Sequence, residues 1–164
     1  VSYTITAINT SQLKGKSMKK LLLTIVAALT LTTPVLAQKK PVGVTYDAQI
    51  IRATDGDTVV IAAPYLPAPL KPELAVRVFG VDTPEKGFRA KCISEKQRGE
   101  QASTFTKDVI AATKKHQVVL YDWDKFGGRV LGDIILDGMS LRGLLIKNGF
   151  AREYYGDAKQ SWCN

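Results

Sequence analysis

Val76-Arg77-Val78-Phe79-Gly80-Val81-Asp82-Thr83-Pro84-Glu85 starts as a strand and finishes as a turn. Val76, Val78 and Gly80 alternate with Arg77, Phe79 and Val81, a period of two that suits a short strand. Pro84 has no N–H for a sheet ladder and pushes Thr83 toward an extended conformation, so the strand is predicted to end at Asp82 with a sharp bend. The bend would hold two carboxylates, Asp82 and Glu85, near one strand end. Arg77 stands an odd number of residues before Asp82, so on an ideal strand the two side chains leave opposite faces. Bringing them together requires curvature or the turn itself.

Upstream, residues 46–53 and 58–63 are rich in Ile, Val, Ala and Thr and flank Thr54-Asp55-Gly56-Asp57. That Asp-Gly pair predicts a β-hairpin with Asp55 as a turn residue and Asp57 at its exit. Four prolines, Pro64, Pro67, Pro69 and Pro72, make the next segment a loop. Downstream, a Lys/Arg/Gly segment to Lys91 reads as a solvated loop. A helix follows, with Ser94 and Gln97 as a capping box and Ala102, Phe105, Val109 and Ala112 at helical spacing through to Lys114 and Lys115. Gln117–Asp122 and Val130–Leu136 read as two strands joined by a loop with paired glycines, Gly127 and Gly128. Ser140 is predicted to cap a short helix through Leu141, Leu144, Leu145 and Lys147, closed by Asn148-Gly149.

Three strands, a helix, two strands and a helix is an α+β order. It matches an OB-type five-stranded Greek-key barrel with two to three helices, a fold whose face and loops bind oligonucleotides. The chain has 164 residues and a formal charge of +8. Residues 18–37 read as a signal peptide, with Met18-Lys19-Lys20 as the basic start, Leu21–Leu31 as the apolar run and Val35-Leu36-Ala37 before a cleavage point. The apolar run is shorter than the roughly 20 residues a membrane span needs, so no stable membrane association is expected after removal of the leader. Residues 1–17 are read as an upstream extension, 38–44 as a lead-in, and 45–164 as one domain, secreted or periplasmic and monomeric. Residues 1–37 hold four Lys and no acidic residue, half of the net charge, so the remaining chain carries +4, a mild bias toward a polyanion.

The even count of cysteines in an exported chain points to a Cys92–Cys163 disulfide. Closing a loop of that span contributes about 4 kcal/mol through the unfolded state. With His116 the sole histidine, a His-based zinc site is not expected, and His116 reads as plain surface. The chemistry left is carboxylate plus guanidinium. Asp57, Asp82 and Glu85 offer oxygen ligands for a hard cation, and phosphodiester hydrolysis needs a cation, a base and positive donors.

Asp55-Gly56-Asp57-Thr58, Arg77 with Asp82-Thr83-Pro84-Glu85 five residues on, and Asp124-Lys125-Phe126-Gly127-Gly128-Arg129 together resemble the staphylococcal nuclease family. The helix segment Arg98–Lys107 also looks like that family's helix. The resemblance covers roughly residues 45–155. It implies a Ca²⁺-dependent endonuclease acting on DNA and RNA that cuts the 5′ P–O bond and leaves 3′-phosphate ends. By the same resemblance, Asp57, Asp82 and the Thr83 carbonyl would hold Ca²⁺, Glu85 would be the base, and Arg77 and Arg129 would hold phosphate oxygens. Lys125, Phe126 and Tyr155 would contact substrate. Phe126 stands where the family has a Tyr, so its ring can stack but offers no hydroxyl. Gly127-Gly128 adds a residue to the family's loop, and the proline-rich loop is also longer. The alternative is a non-catalytic nucleic-acid-binding OB module.

Overall fold

The computed structural model describes residues 42–163. The readings over 1–17 and 18–37, and over the lead-in as far as residue 41, lie outside the described residues. The chain forms β1 (Val44–Asp47), β2 (Ile50–Ala53), β3 (Thr58–Ala62), β4 (Glu73–Val78), β5 (Val81–Asp82), α1 (Ile93–Ala112), β6 (His116–Trp123), β7 (Arg129–Leu136), β8 (Met139–Ser140), α2 (Leu141–Lys147) and β9 (Arg152–Glu153). A 3₁₀ turn at Gly87–Arg89 precedes α1. The class is α+β, as expected.

The main sheet has seven strands in the order β1-β6-β7-β4-β3-β2, with β8 added to β7. Its two ends, β1 and β2, are successive halves of one segment. Ala48 and Gln49 separate them, the first donating to His116 O and the second accepting from Ala62 N. The ladder is therefore open, and the covalent chain carries it round from one edge to the other. The single strand predicted over 46–53 becomes two because it must serve a different neighbour with each half. β4 and β7 run parallel; the other pairings are antiparallel.

Val59 and Ile61 of β3, Val76 and Val78 of β4, Val118 of β6, Ile134 and Leu136 of β7, and Leu141 and Leu145 of α2 form one buried cluster. Each such side chain contributes about 2 kcal/mol by leaving water. Ser140 caps α2 as predicted, its Oγ accepting from Gly143 N, and Gly149 ends it at φ +74°. The strand carrying Arg77 stops earlier than Asp82. It breaks at Phe79 and Gly80, where φ is +76°, and resumes as β5, which pairs with β9. That break folds β5 back so that Arg77 Nη2 reaches the Val81 carbonyl, while Asp82 follows on β5.

Helix α1 departs from expectation at both ends and in its buried face. Cys92 is the N-cap, its Sγ accepting from Glu95 N, and Thr113 is the C-cap, so Ser94 lies inside the first turn and Lys114 beyond the last. The fully buried stripe is Glu95, Gly99, Ala102, Ser103 and Thr106, spaced as one helical face. Phe105 and Val109 are only partly buried against the core. The helix turns its small and polar side inward because what it packs against is backbone.

Candidate active site

Two turns carry the acidic side chains, and α1 seats both. Toward the first turn, Thr106 Oγ1 donates to Gly56 O at 2.7 Å, and a Cβ on Gly56 would come within 2.9 Å of the Ala102 methyl. Toward the second, Gly99 lies against the Glu85 carbonyl, and a Cβ there would also meet Pro84 O at 2.8 Å. Glu95 completes the seat: its Oε1 accepts from Glu85 N at 3.4 Å and its Oε2 from Lys91 N at 2.7 Å. Side chains that look unremarkable in sequence thus hold the main chain of both turns.

Asp57 and Arg77 meet through strand register, since Thr58 is paired with Arg77 across β3 and β4. Arg77 Nη1 donates to Asp57 Oδ1 at 2.8 Å, Thr58 Oγ1 donates to the same oxygen at 3.1 Å, and Arg77 Nη2 reaches Val81 O at 3.4 Å. Burial pushes the Asp57 carboxyl up to about 6; Arg77 pulls it back and the neighbouring Asp55 carboxylate adds to the rise. Asp55 Oδ1 is buried without a hydrogen-bond partner. Asp82 is held from the tail: Trp162 Nε1 donates to Oδ2 at 2.9 Å, and the Lys159 ammonium stands 2.6 Å from Oδ1. No directed hydrogen bond reaches that Oδ1 otherwise. The same ammonium is 3.8 Å from Glu85 Oε1.

Across the cavity, the loop between β6 and β7 is closed by Asp124 N donating to Arg129 O at 3.1 Å. Gly127 and Gly128 turn it at φ +68° and +69°. Arg129 Nε donates to the buried Asp124 carboxylate. Phe126 projects into solvent, with Lys125 Nζ at 5.1 Å and the Arg129 guanidinium at 5.8 Å from its ring centroid. The Tyr155 hydroxyl accepts from Arg142 Nη2 at 2.7 Å. A cavity of about 590 Å³ is bounded by Asp55, Asp57, Arg77, Thr83, Glu85, Lys125, Phe126, Arg129, Tyr155 and Lys159. Of the residues singled out from sequence for catalysis, metal binding or substrate contact, Asp82 alone does not line it; that side chain lies behind, bonded to two tail residues.

The donors suit a hard cation in kind: buried carboxylates, a backbone carbonyl and an unpartnered Asp55 oxygen. Among the described residues, the set of three acid or thiol groups whose ligand atoms lie mutually within 4.8 Å is Cys92, Glu95 and Cys163. Two of these are joined in a disulfide with Cα atoms 6.0 Å apart, so that trio is structural. His116, expected as surface, is half-buried with its Nε2 3.1 Å from Thr113 Oγ1.

Sequence reasoning missed Lys159 and the role of Glu95, and it took Trp162 as tail packing or a base-stacking ring rather than as a donor to Asp82. Lys159 sits in a polar tail with no motif around it, and only the disulfide at Cys163 hinted that the tail folds back. Glu95 read as a first-turn acid favourable to the helix dipole, whereas it serves the turn that carries Glu85. Trp123, which lines the cavity and is 66% exposed, also went unremarked at its strand end.

Residues 75–162 match the family described as Staphylococcal nuclease homologue. The chain is 30% identical over 115 residues to Endonuclease YhcR of Bacillus subtilis (strain 168), covering 67% of this chain and 9% of that protein. It is 33% identical over 123 residues to Endonuclease YncB of the same organism, covering 72% of this chain and 51% of that protein. The chain thus spans about half the length of one of these relatives and under a tenth of the other. No helix among the described residues is long and apolar enough to cross a membrane.

Proposed function

The chain belongs to the staphylococcal nuclease homologue family, and from that membership and the site's geometry we propose that it is a Ca²⁺-dependent endonuclease hydrolysing DNA and RNA. The observation that carries this reading is the shared cavity of about 590 Å³ whose walls include Asp57, Arg77, Thr83, Glu85 and Arg129. Two guanidinium groups and a base beside oxygen ligands are what phosphodiester hydrolysis requires.

In this reading Asp57, Asp82 and the Thr83 carbonyl would hold the cation, which when bound supplies a positive charge to polarise a phosphoryl oxygen. Glu85 takes the proton of the attacking water as its oxygen bonds to phosphorus. The 5′ P–O bond breaks, the 5′ oxygen leaves and takes up a proton, and the other product keeps a 3′-phosphate. Arg77 and Arg129 hold the phosphate oxygens while charge builds on them; the forked guanidinium suits that task better than an ammonium. Lys125 adds charge near the rim, Phe126 offers a ring for a base to stack on, worth about 1–3 kcal/mol where such contacts form, and Tyr155 borders the substrate. A disulfide supports an oxidising compartment, in keeping with the signal peptide read over 18–37 and export to the periplasm or beyond. The active species is a monomer.

The test is purified protein on plasmid DNA with Ca²⁺, repeated with a chelator. Cleavage with the ion and none with the chelator is expected. Cutting that ignores the chelator would overturn the metal assignment, and retardation without cutting would favour the non-catalytic binding module.

A further inference from the structure

Asp82 is a cation ligand in the function proposed above, yet both of its oxygens are engaged by the C-terminal tail. Trp162 Nε1 holds Oδ2 at 2.9 Å and the Lys159 ammonium holds Oδ1 at 2.6 Å. The ammonium also lies 3.8 Å from Glu85 Oε1, so one positive charge serves both the ligand and the base. Lys159 is not a loose surface lysine that happens to reach inward. Its segment is bolted at Cys163 to Cys92. Arg152 ties it from the other side, donating through Nη1 to Ser161 O at 2.9 Å and stacking at 3.8 Å over the Trp162 ring. The Tyr154 ring flanks the ammonium at 5.6 Å.

We propose that Lys159 is the residue that sets the affinity of the cation site: its ammonium is the counter-ion of Asp82 and Glu85 in the cation-free protein, and a divalent ion binds by displacing it from Asp82. The inference rests on the cation-dependent reading of the site. It follows from charge and room. An ammonium and a divalent ion cannot share the same carboxylate oxygen at contact distance without strong repulsion, because at about 4 Å even an effective dielectric near 20 leaves several kcal/mol between them. The tail therefore acts as a tethered competitor, effective because its attachment keeps the amine at high local concentration.

Calorimetric titration of the folded, oxidised protein with Ca²⁺ alone tests this, with no substrate present. Lys159→Met should bind Ca²⁺ about tenfold more tightly, which is about 1.4 kcal/mol. Lys159→Arg, which keeps the charge, should stay within about threefold of the parent, and Arg89→Met, which removes a cavity-lining charge, should change affinity by less than about twofold, as a screened, indirect charge would. Equal or weaker binding by Lys159→Met would overturn the proposal, as would an equal gain from Arg89→Met. A second measurement needs no variant: in the unmodified protein, Ca²⁺ should raise the rate at which an acetylating reagent modifies Lys159, read by mass spectrometry, several-fold above the change at other lysines. A rate unchanged or lowered by the ion would refute displacement. No heat from either the parent or Lys159→Met would remove the cation reading itself, a result distinct from equal binding by both.

Discussion

Glu95 and Asp57 are buried to almost the same degree, 4% and 3% exposed, yet the protein treats them in opposite ways. Glu95 sits under α1 with each oxygen taking a backbone N–H, from Glu85 and from Lys91. Asp57 has one oxygen crowded by Arg77 and Thr58, a second acid beside it, and a carboxyl pushed up to about 6, chiefly by burial. A buried acid saturated by main-chain donors fixes geometry, whereas one left short of positive charge is suited to receiving a cation. Asp133 belongs with Glu95: Ile134 N, Arg142 N and Ser140 Oγ all donate to it, which ties β7 to the start of α2.

The sharpest break between the two kinds should come from the base. Glu85→Gln is expected to lower plasmid cleavage by about 10³-fold, in the range for losing a general base, with an unchanged thermal unfolding midpoint because the carboxylate itself supports no backbone. Near-normal turnover would take Glu85 out of the mechanism. Glu95→Ala should behave in the opposite manner, costing about 2–4 kcal/mol of stability in a denaturant titration because two N–H groups lose their partner. If it cost less than about 1 kcal/mol, the saturated-acid account would be wrong.

Asp57→Asn should show a smaller effect of reversed sign. In Ca²⁺-free buffer the variant is expected to be more stable by about 1 kcal/mol, since it no longer holds a charge that burial disfavours, while added Ca²⁺ should no longer stabilise it. The pH dependence follows from the same shift. The folded protein keeps the Asp57 proton up to about 6, while the unfolded chain releases it near the ordinary 3.8. Folding therefore takes up a proton between those values, and the stability contribution of Asp57 declines as pH rises through that window. The gap between variant and parent should be small below about pH 4, widen through the window and level off above about pH 6. Urea unfolding at a series of pH values would detect it, and a gap independent of pH would dismiss it.

Much of this cavity could be read from the chain. Asp57, Arg77, Glu85 and Arg129 fall at strand ends, where turn chemistry concentrates polar groups, and the Asp-Gly and Thr-Pro pairs announce those turns. The Ser140 cap, the Gly149 stop and the pairing of Cys92 with Cys163 were equally open to inspection. What stayed hidden depends on contacts between parts of the chain far apart. The division of the first strand at Ala48 and Gln49 follows from having two neighbours, which no local pattern records. The inward face of α1 was misjudged because hydrophobic periodicity looks for Phe105 and Val109, while the helix presents Gly99, Ala102 and Thr106 to main-chain atoms. Cys92 hid as a cap because its evident task was the disulfide. Lys159 could not be placed until the tail was seen to return.

Position 99 has a practical consequence. A methyl group there would press on the carbonyls of Pro84 and Glu85 and move the base without altering a single charge, from a residue that does not itself line the cavity. A mutational survey confined to acidic and basic residues would pass over it, and anyone remodelling the helix for stability by the usual exchange of glycine for alanine should leave this one alone.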